Sequence, residues 1–265
     1  MDRNLELLIS SLEKDPRELA ADMHIECDAV VVNQGAREER YGFSTAEGIN
    51  VRVIESRGRG VGESRNTALD EAEAGIVLFS DDDIVYSKGY AGNVLQAFDS
   101  NPQADIIMFN VDVAEDRRTY YIDRKIRVHK WSVGRYPAYA AAARLESLRK
   151  AGVRFSLLFG GGAEYSCGED SLFFMDCLKA GLVIKGVPVT IGREVPGEST
   201  WFRGYNAKFF KDRGVLYHYM YGSLAGVWAL RFVLAKRRFC KDGIKPAEAF
   251  RLMREGIREG KSRSK

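Results

Sequence analysis

The sequence predicts an α/β protein with a mostly parallel central sheet, helices on both faces and a basic helical extension at the C-terminal end. Three observations carry this. Short β-branched apolar runs recur through the first half without the polar alternation of a half-solvated strand. Helical patterns with recognisable start and stop signals separate many of them. The charge is also divided. Residues 231–265 hold twelve Lys/Arg against four Asp/Glu, a net of +8, which leaves −5 on the first 230 residues of a chain whose total is +3. With 265 residues, 45% hydrophobic and 29% charged, the chain suits one large domain with an appendage. That composition excludes disorder, collagen-like repeats and a purely structural coil.

The elements follow in order. Residues 5–9 (LELLI) form a short buried strand. A helix over 15–23 starts with Asp15 as N-cap and Pro16 at the first helical position. Residues 27–32 (CDAVVV) make a second strand, closed by Asn33-Gln34-Gly35, and 51–54 a third. A helix over 62–73 leads into a fourth strand, 75–80 (GIVLFS). A helix over 88–98 and a strand over 104–109 complete a nucleotide-binding type of layer, about residues 1–115. The second half, about 116–222, is less regular: a charged aromatic stretch (120–139), a glycine-rich loop (160–168), a helix (171–180) and a strand (183–187). Residues 223–265 form the basic extension.

Four cysteines, with no C-x-x-C pair and no zinc spacing, read as free thiols in a reducing compartment. The N-terminal apolar run is too short for a signal-peptide core, and the longest apolar run, residues 224–235, falls well short of the ~20 needed to span a bilayer. The expectation is a cytoplasmic protein.

Two constellations carry chemistry. Asp81-Asp82-Asp83 directly follow the fourth strand, where open α/β sheets bind ligands. Alternation sends Asp81 and Asp83 to one side. Adjacent carboxylates repel unless a cation lies among them, and a hard ion with oxygen ligands, Mn²⁺ or Mg²⁺, fits best. A solvated acidic turn is the bland alternative. The second constellation is Gly168-Glu169-Asp170 at the start of a helix, beside a glycine-rich wall. A carboxylate there is either a plain cap or a rigidly held general base, kept ionised by the helix dipole.

Together, CDAVVVNQG, ESRNTALDEAEAGIVLFSDDD, GGGAEYSCGEDSLFFMDCLKAGL and ESTWFRGYNAKFFKDRG resemble family 2 of the glycosyltransferases, the GT-A nucleotide-diphospho-sugar transferases, in their capsule or exopolysaccharide branch. The likeness covers roughly residues 5–220. It departs from the family's D-x-D-D at Ser80, and Asn33 stands where an Asp is usual. The resemblance implies a metal-dependent inverting transfer of a sugar from a nucleotide diphosphate, with UDP the common donor base, to a hydroxyl of a glycan or lipid-linked acceptor. It implies Asp83 as main metal ligand, with Asp81 and Asp82 toward ribose, metal or metal-bound water. It implies Asp170 as base, with Glu169 the alternative. Arg65 either meets donor phosphate or holds the acidic turn, and Asn33 and Gln34 are read as nucleobase or ribose contacts. Trp201, Arg203 and Tyr205 are acceptor-side candidates, and His218 is a candidate late metal ligand.

In the extension, Leu224, Val227, Trp228, Leu230, Phe232, Val233 and Leu234 precede Lys236-Arg237-Arg238. This pattern suits contact with an anionic membrane at the inner face of the cell, and equally a helix docked on the domain. Nucleic acid is not an expected partner. Two other functions compete. A nucleotidyltransferase would carry a glycine-rich phosphate loop after the first strand, where this chain has SSLEKDP. A non-catalytic membrane-binding module leaves the acidic triplet and Asp170 without a purpose.

Overall fold

The computed structural model describes residues 4–115, 118–195, 204–235 and 243–263. The strands are β1 (Leu5–Leu12), β2 (Asp28–Gln34), β3 (Glu39–Ser44), β4 (Asn50–Ser56), β5 (Ile76–Asp81), β6 (Ile84–Tyr86), β7 (Ile106–Asp112), β8 (Ile126–Arg127), β9 (Ala141–Arg144) and β10 (Ile184–Glu194). The helices are α1 (Pro16–Asp22), α2 (Val61–Glu71), α3 (Tyr90–Asp99), α4 (Leu145–Ala151), α5 (Glu169–Lys179), α6 (Ala207–Tyr221), α7 (Ala225–Ala235) and α8 (Pro246–Arg263).

One sheet has the order β3-β4-β2-β1-β5-β9-β7-β10-β6, with β8 also on β10. Strands β4, β2, β1 and β5 pair in parallel, as do β7 and β10. Strand β9 runs against both β5 and β7, so the two parallel blocks share one direction. The mostly parallel α/β architecture is therefore present. The apolar runs are continuous because both faces are covered. Leu7 and Ile9 of β1 enter one core with α1 and α3, while Leu8 enters the other with α2, α4 and α5. Asp15 caps α1 as its sequence implies, accepting from the amides of Arg17 (2.8 Å) and Glu18 (3.2 Å).

Four strands, β3, β6, β8 and β9, have no counterpart in the sequence reading. Strand β3 is an exposed edge strand of mostly polar residues and offers no apolar signal. Strand β9 is almost entirely alanine, a residue depleted from strands, yet Ala141, Ala142 and Ala143 are wholly buried. It brings the second half of the chain into the centre of the sheet. Strand β10 also runs seven residues beyond its expected end, to Glu194. The expected division near residue 222 falls within a packed unit, because Phe209 and Phe210 of α6, Ala229 and Val233 of α7, and Ala249, Leu252 and Met253 of α8 share one apolar cluster. No helix among the described residues is long and apolar enough to cross a membrane.

Candidate active site

The site forms at the carboxyl ends of the parallel strands. Strand β5 ends at Asp81, and a tight turn through Asp82 and Asp83 leads into β6. The three carboxylates diverge. Asp81 accepts from Nη2 of Arg65 at 2.8 Å. One oxygen of Asp82 accepts from Ser11 Oγ and the Leu12 amide, both at 3.1 Å, which ties the turn to the end of β1. Asp83 turns inward. Burial and the negative charges of Asp81, Glu194 and Asp82 push its carboxyl up to about 7. Glu194 ends β10, whose next residue, Val195, donates its amide to the Asp83 carbonyl at 2.7 Å. This fourth carboxylate was missed in the sequence. Its only signal would have been an acidic residue closing a strand that pairs with β6.

Helix α5 begins at Glu169, directly after Gly168, whose φ of +117° only glycine adopts readily. Asp170 accepts from Nη1 of Arg65 at 2.6 Å through one oxygen and from the Ala138 amide at 3.0 Å through the other. Glu169 lies 3.6 Å from the same Nη1 and accepts from the Gly168 amide at 3.0 Å. Burial is the largest effect on both carboxyls and raises both. Glu169 reaches about 7, helped by the charge of Asp170, while Arg65 opposes the rise in both. This corrects the expectation that the helix dipole keeps the carboxylate strongly acidic. The dipole acts within the first turn, but desolvation outweighs it here.

Arg65 joins the two constellations. Its side chain is 3% exposed, stands over the Phe155 ring at 5.3 Å, and its Nε is buried with no protein partner. The guanidinium is thus engaged by Asp81 and Asp170, so the acidic turn and the helix start lie within the span of one side chain.

The other candidates are placed by the fold. Asn33 is buried, with its amide bonded to Lys14 O (2.8 Å), Lys14 N (3.2 Å) and Glu55 (3.1 Å). Gln34 is buried too and exchanges bonds with the Gly60 carbonyl (3.3 Å) and amide (3.2 Å). Both amides are bonded to neighbouring loops at the ends of β1 and β4. Tyr205 packs edge-on against Phe209 in the helical cluster, 5.1 Å between centroids. His218 faces α8, where Gly260 approaches so closely that an added Cβ would lie 3.0 Å from the imidazole-bearing Cβ. Trp201 and Arg203 lie outside the described residues.

The donor set fits a divalent cation. Asp83 is a half-buried carboxyl acted on by other carboxylates, and its charge would be relieved by a metal. Among the described residues no three His, Cys, Asp or Glu side chains form a cage by themselves. An ion of this kind ordinarily takes one or two carboxylates and completes its shell with phosphate and water.

The site pairs an acidic turn at the carboxyl edge of a mostly parallel α/β sheet with a second carboxylate pair at a helix start, joined through Arg65. The family follows from the sequence itself: the Glycosyl transferase family 2 profile matches residues 5–158, more than half of the chain, and the protein belongs to that family. No curated protein sequence matches the chain. Solved structures with the same fold include S. aureus TarS 1–349 in complex with UDP-GlcNAc, with a TM-score of 0.59 and 16% identity over 98% of this chain and 73% of that one. They also include the mannosyltransferase PcManGT of Pyrobaculum calidifontis in complex with GDP-Man and Mn²⁺, with a TM-score of 0.55 and 15% identity over 98% and 75%.

Proposed function

We propose that this glycosyltransferase moves a sugar from a nucleotide-diphosphate donor to an acceptor hydroxyl with inversion, as in the synthesis of a cell-surface polysaccharide. The observation that carries this is Arg65, whose buried guanidinium holds Asp81 of the acidic turn and Asp170 of the helix start together. Binding of UDP-GlcNAc by TarS and of GDP-Man by PcManGT supports a nucleotide sugar as donor, and the family resemblance favours UDP.

Asp83 would be the principal ligand for Mn²⁺ or Mg²⁺, with Asp81 beside it, and the ion, when bound, would supply Lewis-acid stabilisation of the departing diphosphate. Asp170 is the general base, and Glu169 is the alternative. The acceptor O–H gives its proton to the carboxylate while its oxygen bonds to the anomeric carbon. The bond from that carbon to the diphosphate breaks on the opposite face, so one carboxylate suffices. Burial serves this role, because a carboxyl raised toward neutral pH accepts a proton more readily than a solvated one. Arg65 and the Ala138 amide fix the Asp170 carboxylate, and each oxygen keeps a lone pair for the acceptor.

A thermal-shift panel of nucleotide diphosphates with and without Mn²⁺ tests the donor reading. Stabilisation by a nucleotide only when metal is present supports it, and a metal-independent response refutes it. Asp170→Asn and Glu169→Gln, assayed for release of UDP from UDP-GlcNAc and of GDP from GDP-Man, decide which carboxylate is the base.

The membrane reading rests on α7. Leu224, just before it, and Val227, Leu230 and Leu234 lie at helical spacing, 45% to 66% exposed, with Arg231 over the Trp228 ring at 5.0 Å. An apolar stripe beside Arg231 fits an anionic bilayer at the inner face of the cell, where a lipid-linked acceptor would lie; Lys236, Arg237 and Arg238 lie outside the described residues. The variant Val227→Ser/Leu230→Ser in the full chain should bind anionic phosphatidylglycerol vesicles more weakly than the wild type. Equal binding refutes the contact.

A further inference from the structure

The C-terminal helix α8 reaches the loop that carries the base. Residues 160–168 contain glycines at φ of +110° (Gly160), +82° (Gly162) and +117° (Gly168), so the backbone alone leaves this loop permissive. Backbone bonds close its base, with the Gly160 amide donating to the Tyr165 carbonyl (2.9 Å), the Tyr165 amide to the Leu158 carbonyl (3.0 Å) and the Val61 amide to the Gly161 carbonyl (3.1 Å), and side-chain ties to α6 and α8 add to them. Tyr165 is 3% exposed and donates its hydroxyl to Glu259 of α8 at 2.8 Å. Lys211 of α6 holds the other oxygen of Glu259 at 2.7 Å. Arg263, one turn further along α8, grips both oxygens of Glu164 at 2.8 and 2.5 Å and lies over the Tyr165 ring at 5.4 Å. From α6, Asp212 accepts from the amide and the hydroxyl of Ser166, both at 3.0 Å. Each consecutive residue from Glu164 to Ser166 is therefore tied to α6 or α8, and Glu169 follows three residues later.

Helix α8 is itself seated without slack. A Cβ at Gly256 would lie 1.9 Å from the Lys211 carbonyl oxygen, and one at Gly214 would lie 2.1 Å from that of Met253. The two helix backbones are in direct contact, so α8 presents Glu259 and Arg263 from a fixed platform. The Arg263–Glu164 pair is about half exposed and contributes little by itself. The Tyr165–Glu259 bond, on a buried ring, is the stronger tie.

We propose that Glu259, with Tyr165, is a positioning residue for the catalytic carboxylates: α8 fixes residues 164–168, and through them the bearing of Glu169 and Asp170. The inference rests on those two residues being the catalytic pair. It gives the basic extension a role in turnover as well as any role at a membrane. The donor-side carboxylates lie on β5 and β10 and, among the described residues, have no direct hydrogen bond to α8; Asp81 meets the helix start only through Arg65, which the loop does not hold, so donor binding should not follow the loop.

The test uses the full chain in four variants: Glu259→Ala, Glu259→Gln, Tyr165→Phe and, as control, Arg251→Ala on the exposed side of α8. Amide exchange over residues 160–168 is measured without substrate. Nucleotide release is measured with UDP-GlcNAc and GDP-Man in Mn²⁺, together with donor affinity by calorimetry. Glu259→Ala and Tyr165→Phe should speed exchange of the loop and lower kcat roughly tenfold with donor affinity unchanged. Glu259→Gln keeps an acceptor for the Tyr165 hydroxyl and should restore most of the loss, and the control should match the wild type. Unchanged loop exchange, a loosened loop with full kcat, a parallel fall in donor affinity, or Gln as damaging as Ala would each overturn the proposal. Full turnover in both Asp170→Asn and Glu169→Gln would refute the base assignment separately, since loop exchange is read without substrate.

Discussion

Replacing Asp83 by Asn should make the metal-free protein more stable while removing its response to metal. In the fold, burial and the charges of Asp81, Glu194 and Asp82 raise the Asp83 carboxyl from 3.8 to about 7. A carboxyl raised on folding binds its proton more tightly in the native state, so stability is greatest below the unfolded value and falls as pH rises through the folded one. The gap of roughly three pH units corresponds to a ceiling of about 4 kcal/mol above pH 7, cut to the order of 2 kcal/mol by residual solvent exposure. Asparagine has the same shape and no charge. Urea unfolding in EDTA should therefore show Asp83→Asn more stable than wild type at pH 8, with the difference shrinking by more than half at pH 5 and vanishing below about pH 4. Addition of Mn²⁺ with UDP should then raise the midpoint of the wild type and leave that of the variant in place. A variant that is less stable than wild type at pH 8, or one that still responds to Mn²⁺, refutes the reading of Asp83 as a strained carboxylate awaiting a cation.

Other expectations are equally direct. Arg65→Met strands Asp81 and Asp170 without their buried partner; it should cost about 3–5 kcal/mol of stability at pH 8, and less at pH 5 as Asp170, whose carboxyl burial raises, takes up a proton. Asp170→Asn should keep donor binding by calorimetry and lose roughly a hundredfold or more in turnover. If Glu169 is the base, kcat/KM should rise with pH through about 7, the value to which burial brings its carboxyl, and Glu169→Gln should abolish turnover together with that limb. Gly256→Val drives a side chain into the Lys211 carbonyl and should lower stability by about 3 kcal/mol or more, read as a fall in thermal midpoint.

What the sequence revealed and what it concealed divide along physical lines. Strands buried on both faces announce themselves, so β1, β2, β4, β5 and β7 were legible as apolar runs. The Asp15-Pro16 helix start is a local signal and was legible too. So were the two carboxylate groups, because a strand end and a helix start are both marked by neighbouring residues. Features decided by distant partners were not. Strand β9 exists because the gap between β5 and β7 needs a strand of small side chains, not because alanine favours extension. Glu194 joins Asp83 across 111 positions of sequence, and Arg65 joins Asp170 across 105. Asn33 and Gln34 look like polar groups offered to a ligand. Their bonds to Lys14, Glu55 and Gly60 could not be read from the neighbouring residues. The dipole argument for Asp170 failed because burial cannot be read from the residues next to it.

The place of β9 bears on how the chain folds during synthesis. Strands β1, β2, β4 and β5 lie within the first 81 residues and can assemble as soon as they leave the ribosome. One edge of β5 then stays open, and β5 is among the most apolar strands of the sheet. Its partner, residues 141–144, emerges some sixty residues later, and β7 can join only through that partner. Until then the nascent chain displays an unpaired hydrophobic edge of the kind that recruits other strands. A ribosome stalled between these points should yield an aggregation-prone fragment, whereas one stalled well past residue 144 should release the same edge already sealed.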